Sequence, residues 1–326
     1  MKTTFPVTDH CDGARFFNPH GPSARAFSDL PKWWWQRLRG SATPWPKQVP
    51  PPVPVTLADN VAPGQMAATW LGHATWLLQL PGLTILTDPV FASRAGPFGL
   101  FGPKRAQPAA LRLGELPRID LVLVSHNHYD HLDLSSLRWL AQHRRPQVVV
   151  PLGLKSWLES RGVGNVAELD WWQSHFPGAG TEVVGTPAQH WSSRSPWDRC
   201  RTLWGGYGVK TGAGSLFFAG DTGWGPHFAE VQARLGAPGC ALLPVGAYEP
   251  RWFMEPVHMN PAESVRAHLA LGARVSLAMH HSTFCLTDEG WDEPVRALAV
   301  ARRQEGIPDD AFRTPVAGET VLVALA

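Results

Sequence analysis

The chain has 326 residues, enough for one large α/β domain or two smaller ones and for a sizeable buried core. Its 29 basic and 27 acidic residues leave a net charge of +2 with no clustered Lys/Arg footprint, which excludes nucleic acid as the expected partner; 17% charged against 44% hydrophobic residues excludes a solvated, disordered chain. No apolar run approaches the ~20 residues of a membrane-spanning helix, and residues 1–13 hold no apolar signal region. Cys11, Cys200, Cys240 and Cys285 lack C-x-x-C spacing, so reduced thiols and a cytoplasmic location are expected.

Residues 1–65 hold 11 of the 31 prolines and cannot form a sheet core. They read as a lead segment laid over a body formed by residues 66–326, with one short helix over 28–39. That helix carries Trp33, Trp34 and Trp35 beside Lys32, Arg37 and Arg39. The rings either pack the segment onto the body or meet a lipid headgroup layer, which suits amphipathic rings next to cations. From residue 67 the pattern changes. Strands are predicted over 68–80 and 83–87, joined at Pro81-Gly82, and over 119–124, 147–150, 183–186, 203–209, 215–219, 241–245, 275–279 and 321–324. Helices are predicted over 134–143, 154–161, 261–271 and 293–304. Strands interleaved with helices give an α/β class.

The chemistry gathers behind one strand. Residues 119–124 run directly into Ser125-His126-Asn127-His128-Tyr129-Asp130-His131, where four of seven residues are metal-ligand types. Residues two apart in an extended segment point the same way, so His126 and His128 can share one ion while Asp130 and His131 face a neighbouring one. Imidazole with carboxylate suits zinc or a similar ion. One loop leaves two ions under-coordinated, and three further strand ends offer partners: His190, Asp221 and His280, with His281 as the alternative to His280. Asp221 is the carboxylate suited to bridging.

The His-x-His-x-Asp-His loop resembles that of the metallo-β-lactamase superfamily. The surrounding text is similar to the N-acyl-phosphatidylethanolamine-hydrolysing phospholipase D family over residues 66–326. The similarity runs through Thr69–Thr75, Leu86–Pro89, Gly102–Arg105, Ser125–Asp133, Pro151–Leu154, Glu168–Trp172, Gln189–Trp191, Phe218–Gly223, Gly246–Met254 and Met279–Phe284, and more loosely through Phe17-Asn18-Pro19. The resemblance implies a four-layer αββα sandwich holding two zinc ions. One ion takes His126, His128 and His190, the other Asp130, His131 and His280, with Asp221 between them. It favours His280 over His281. Val257 departs from the polar residue of animal members, which bears on headgroup recognition.

Metal-bound imidazoles need their second nitrogen held, commonly by a carboxylate. Asp88 is the candidate for that role, with His73 as a similar case that is also a candidate substrate contact. His258 is expected to line the site as a donor to substrate oxygens, Tyr129 to meet a phosphate oxygen, and Arg194 and Lys104 to meet an anionic headgroup. Asp130, Asp221, Asp88 and His258 form the candidate catalytic set. Two ions can clamp the attacking and leaving oxygens and make hydroxide available at neutral pH, so hydroxide attack on a phosphodiester is expected without a Ser or Cys nucleophile. The substrate expected is a phospholipid or other small phosphodiester, reached by contact with a membrane surface. Opening of a lactone or another carboxyl ester uses the same clamp and stays open, as does a non-catalytic metal-binding role.

Overall fold

The computed structural model describes residues 4–21, 24–178 and 180–325. The lead segment carries one α-helix, α1 (Leu30–Leu38), and crosses the surface of the body. Phe16 N donates to Cys200 O at 2.8 Å, His10 Nε2 meets Asp170 Oδ1 at 2.8 Å, and Val53 N donates to Ala317 O at 2.8 Å.

The first sheet begins with β1 (Gln65–Gly72), β2 (Thr75–Leu80) and β3 (Leu83–Thr87), which pair antiparallel. It continues with β4 (Leu121–Leu123), β5 (Gln147–Pro151) and β6 (Val166–Leu169), each parallel to the strand before it. The second sheet is spatially ordered from β7 (Ser174–Gly178) through β8 (Thr181–Thr186), β9 (Gly206–Thr211), β10 (Gly214–Phe218), β11 (Cys240–Pro244) and β12 (Val275–Met279) to β13 (Phe312–Arg313). Its last four strands are parallel. The final strand, β14 (Thr320–Ala324), returns to pair antiparallel with β1.

The two sheets pack face to face. Trp70, Trp76, Leu78, Ile85, Leu121 and Leu123 from the first share one buried cluster with Val209, Leu216, Phe218, Leu242 and Leu277 from the second. Each such large apolar side chain contributes about 1.5–3 kcal/mol by leaving water. Alternation then decides the outer layers. Val122 and Val124 point away from Leu121 and Leu123, onto α2 (Leu134–His143) and α3 (Lys155–Glu159) through Leu137, Leu140 and Leu158. The other outer face is covered by α4 (His227–Leu235), α6 (Pro261–Leu271) and α7 (Glu293–Gln304), and the short α5 (Arg251–Met254) sits at the rim of the site. The order is helix, sheet, sheet, helix, the αββα sandwich expected.

One predicted strand is corrected. Residues 68–80 are not continuous, because Gly72 (φ 113°) and His73 (φ 56°) turn the chain back so that Trp70 pairs with Trp76. Both strands are buried on both faces, so the apolar run hides the turn. β6, β7, β13, α4 and α5 carry no signal strong enough to be predicted. β7 contains Pro177 and Gly178, tolerated because it is an edge strand.

Candidate metal centre

The carboxyl ends of β3, β4, β10 and β12 deliver Asp88, residues 125–131, Asp221 and His280 to one place, as parallel strands do. Two of these loops touch because Gly220 has no side chain. A Cβ there would lie 2.6 Å from Ser125 Cβ, and its φ of +61° suits glycine.

The centre has two halves. In the first, His126 Nε2 lies 2.9 Å from His128 Nδ1, and His190 Nε2 lies 3.2 Å from the same atom. In the second, Asp221 Oδ2 is 3.1 Å from His131 Nε2 and 3.0 Å from His280 Nε2, while Asp130 Oδ2 is 3.5 and 3.4 Å from the same two nitrogens. Asp221 Oδ2 also lies 3.9 Å from both His190 Nε2 and His258 Nδ1, so this one oxygen faces both halves. His128 Nε2, His131 Nε2, His280 Nε2 and Asp221 Oδ1 are buried without a hydrogen-bond partner. A concentration of buried polar atoms without partners is costly in this form. Imidazoles and carboxylates in groups whose atoms lie within 4.8 Å fit a divalent transition cation.

The second nitrogen of three of the rings, His126, His131 and His190, is fixed. Asp88 Oδ2 accepts from His131 Nδ1 at 2.6 Å and from Ser125 Oγ at 2.6 Å, and its Oδ1 accepts from Ser125 N at 2.7 Å. With its proton on Asp88, Ser125 Oγ accepts from His126 Nδ1 at 2.9 Å, which leaves Nε2 of His126 a lone pair. His190 Nδ1 donates to Val257 O at 3.0 Å, with the same result. Asn18 brackets the His190 backbone: Nδ2 donates to His190 O at 3.0 Å, and Oδ1 accepts from His190 N at 3.3 Å and from Trp204 Nε1 at 3.2 Å.

Burial and neighbouring charge set the protonation. Burial, then the charges of neighbouring imidazoles, holds His126 well below the usual imidazole range and His128 down at about 3; burial first likewise brings His190 to about 4. In the second half burial also acts downward, but Asp221 and Asp130 outweigh it. They lift His131 well above the usual range and His280 to about 9. Burial acts upward on Asp221 and Asp130, yet His131 and His280, with further hydrogen bonds, hold both carboxyls well below the usual range.

Several sequence expectations change at this level. Asp88 is fully buried beneath His131, so it acts through that ring and through Ser125 rather than on a substrate. His73, 1% exposed, places Nε2 3.0 Å from Asp130 Oδ2 and orients that carboxylate instead of meeting substrate. The Tyr129 hydroxyl already donates to Arg194 O at 3.0 Å. Arg194 turns inward, giving Nη1 to Asn127 O and Leu132 O at 2.8 Å each, and so braces the ligand loop. Lys104 is exposed and lies away from the centre, on a different cavity. His280 joins the cluster, whereas His281 stacks on Trp70 at 4.5 Å. His258 faces the cavity. Sequence reasoning missed the hydroxyl of Ser125, the Val257 carbonyl and Asn18. Asn18 and Ser125 lie within the resembling stretches Phe17-Asn18-Pro19 and Ser125–Asp133, and Val257 stands out for its side chain alone, so the sequence assigns none of the three its role.

A cavity of about 310 Å³ opens onto the centre. Its floor is His128, Asp130, Asp221, His258 and His280, and its walls are mainly apolar, from Leu30 and Trp33 of α1 to Phe253, Met254 and Leu286, with Arg25, Ser193 and Thr287 among them. Trp33 is held there by Phe253, 5.0 Å away, and by its Nε1 donating to Asp288 Oδ2 at 2.9 Å.

Comparison with known proteins gives a consistent result. The family model described as Beta-lactamase superfamily domain matches residues 84–281. The chain is similar to the N-acyl-phosphatidylethanolamine-hydrolyzing phospholipase D 1 of Caenorhabditis elegans, 39% identical over 280 residues covering 81% of this chain and 78% of that one. It is 40% identical over 260 residues to the mitochondrial N-acyl-phosphatidylethanolamine-hydrolyzing phospholipase D of Saccharomyces cerevisiae, covering 77% of this chain and 55% of that longer one. Among solved structures, an isothiocyanate hydrolase from Delia radicum gut bacteria shares the fold, with a TM-score of 0.62 at 21% identity over 79% of this chain and 100% of that one.

Proposed function

The chain belongs to the N-acyl-phosphatidylethanolamine-hydrolysing phospholipase D family of the metallo-β-lactamase superfamily and is a metal-dependent hydrolase; we propose that it is a phosphodiesterase of phospholipase D type, acting on N-acyl-phosphatidylethanolamine-like lipids with two zinc ions. The observation that carries this reading is the cavity, whose floor of metal-ligand types meets apolar walls of a kind that suits acyl chains. Residues 1–65 then act as a lead segment completing the site of the 66–326 hydrolase body.

His126, His128 and His190 would hold one ion, Asp130, His131 and His280 the other, and Asp221 both. When bound, the pair supplies a water-derived nucleophile at neutral pH and neutralises phosphoryl charge. Around it the chain's own groups position and exclude. Ser125, Asp88 and Val257 fix the imidazoles of His126, His131 and His190. His73 orients Asp130. His258, held well below the usual imidazole range by burial, stands neutral beside the cavity, where it can bond a substrate oxygen. Leu30, Trp33 and Phe253 keep water from the acyl side.

No helix among the described residues is long and apolar enough to cross a membrane. A cytoplasmic protein making peripheral lipid contact fits the outer face of α1, where Trp34 is 66% and Trp35 53% exposed, with the Arg39 guanidinium 3.6 Å over the Trp35 ring. The three tryptophans therefore divide. Trp33→Ser should cost about 3–5 kcal/mol of stability, the scale of a large-to-small change in a core, read as a lowered melting midpoint. Trp34→Ser with Trp35→Ser should leave the midpoint in place and reduce co-sedimentation with anionic phospholipid vesicles.

Phosphatidic acid released from N-acyl-phosphatidylethanolamine, followed by mass spectrometry, tests the reaction. Hydrolysis of lactones without any phosphodiester turnover would replace this reading with the carboxyl-ester one.

A further inference from the structure

We propose that a second cavity, which shares Tyr129 with the metal-centre cavity, is a binding site for a phosphate-bearing anion. It has a volume of about 410 Å³ and is lined by four arginines, Arg94, Arg138, Arg161 and Arg194. None of the four forms an ion pair with a carboxylate; the arginine ion pairs among the described residues are all made elsewhere. Their directed bonds go to neutral acceptors. Arg94 Nη1 donates to Gly102 O at 2.9 Å, Arg138 Nε to Arg161 O at 2.5 Å, and Arg161 Nη1 to Trp157 O at 3.0 Å and Ser160 Oγ at 2.9 Å. Arg194 Nη1 gives its bonds to the ligand loop.

The one carboxylate in the lining is already engaged. Asp133 Oδ1 accepts from Ser135 N at 3.0 Å and Ser135 Oγ at 2.5 Å, and Oδ2 accepts from Ser136 Oγ at 2.5 Å and Ala92 N at 2.9 Å. It caps α2 and ties the 91–92 turn; its single negative charge and that of Asp198, both of which act on Arg194, offset at most two of the four guanidiniums. Four like charges gathered on one concavity repel, and the field they focus attracts an anion from solution. Aromatic rings set the planes of two of them: Arg194 lies 3.9 Å over Tyr129, and Arg161 4.2 Å over Trp157. Stacking leaves guanidinium edges to bond outward. Edges from several directions match the several oxygens of a phosphate better than the two of a carboxylate.

Tyr129 stands between the ligands His128 and Asp130, so the second cavity begins one residue from the centre. A lipid with a further phosphate on its headgroup could place the scissile diester at the centre and the second phosphate among the arginines. That use rests on the phosphodiesterase reading, whereas the charge argument does not. Free inorganic phosphate is the other source of the same chemistry.

The test is calorimetric titration of the full, metal-loaded chain with inorganic phosphate, in wild type and in the Arg94→Gln/Arg138→Gln double variant. These positions leave Arg194 and its bonds to the ligand loop untouched. We expect the double variant to lose a phosphate site or weaken it at least tenfold, at unchanged metal content and melting midpoint. Arg138→Glu, one charge reversed at the exposed rim, repeats the measurement should the double variant fold poorly. Identical phosphate affinity and stoichiometry in wild type and variants would overturn the proposal, leaving surface charge only. Two substrates separate the sources. If a lipid phosphate is the occupant, kcat/KM for a diester with a phosphomonoester on its leaving group falls at least tenfold more than that for bis(p-nitrophenyl) phosphate. If free phosphate is the occupant, the two fall alike while the calorimetric site is still lost. Absence of diester turnover in wild type would sink the reaction proposed above and leave the titration to judge this site.

Discussion

The two halves of the metal centre draw on the same side chain and prepare it in opposite ways. Around His126, His128 and His190, a carboxylate approaches only as the 3.9 Å contact from His190 to Asp221 among the described residues, and burial leaves these rings neutral. Around His131 and His280, two carboxylates stand at 3.0–3.5 Å and hold protons on the rings. The first half therefore presents lone pairs throughout the physiological range, while the second presents N–H groups that an arriving cation must displace. A ligand set can thus be complete in geometry and still differ, half from half, in the chemistry of loading.

Asp221 is the atom set that ties this contrast together, and breaking it should have the largest effect. Asp221→Asn keeps the volume and removes the charge that faces both halves. Turnover should fall by more than the roughly 10–100-fold that losing an outer partner of a ligand costs, with the circular dichroism spectrum preserved. Full activity in that variant would place the nucleophile elsewhere. Next, His280→Ala should lose one ion of two, whereas His281→Ala, which removes only a ring stacked on Trp70, should keep both; metal analysis of the purified variants decides it.

The contrast also fixes a pH dependence. His280 has its affinity for protons raised to about 9, and His131 is raised well above the usual range. Below that region cations compete with protons, so affinity in the second half should fall as pH drops, on the order of tenfold per pH unit for each proton displaced. The first half, with rings at about 3 and 4, should bind with constant affinity between pH 6.5 and 8.5. Zinc titrations at those two pH values would break the comparison if both ions weakened equally. The smallest effect is expected for Ser125→Ala, about 10–100-fold in metal affinity, because it frees His126 Nδ1 and one side of Asp88 while leaving every ligand in place.

The metal-ligand loop was legible because its strand is apolar at successive positions, buried on both faces, and ends in four ligand types. The αββα order followed from the family resemblance, and α2, α6 and α7 were readable from their periodicity. What remained hidden depended on distance in the fold. Asn18 pairs with a backbone 172 residues away, and no local pattern announces an amide that imitates a strand partner. Arg194 is a cation in a loop until folding turns it onto Asn127 O and Leu132 O. The tryptophans offered a clue that was within reach. Consecutive helical residues lie about 100° apart, so three in a row cannot all face one way. Trp33 points into the protein, and its neighbours do not.

Asp88 binds no substrate and lies beneath the centre, yet it grips both halves at once. It holds His131 directly and His126 through the Ser125 hydroxyl. Any shift of His126 reaches His131 through three hydrogen bonds of 2.6 to 2.9 Å, so one ring from each half is positioned as part of a single unit. A single buried carboxylate therefore makes the placement of both rings one packing decision, and a substitution there would misplace side chains in both halves at once.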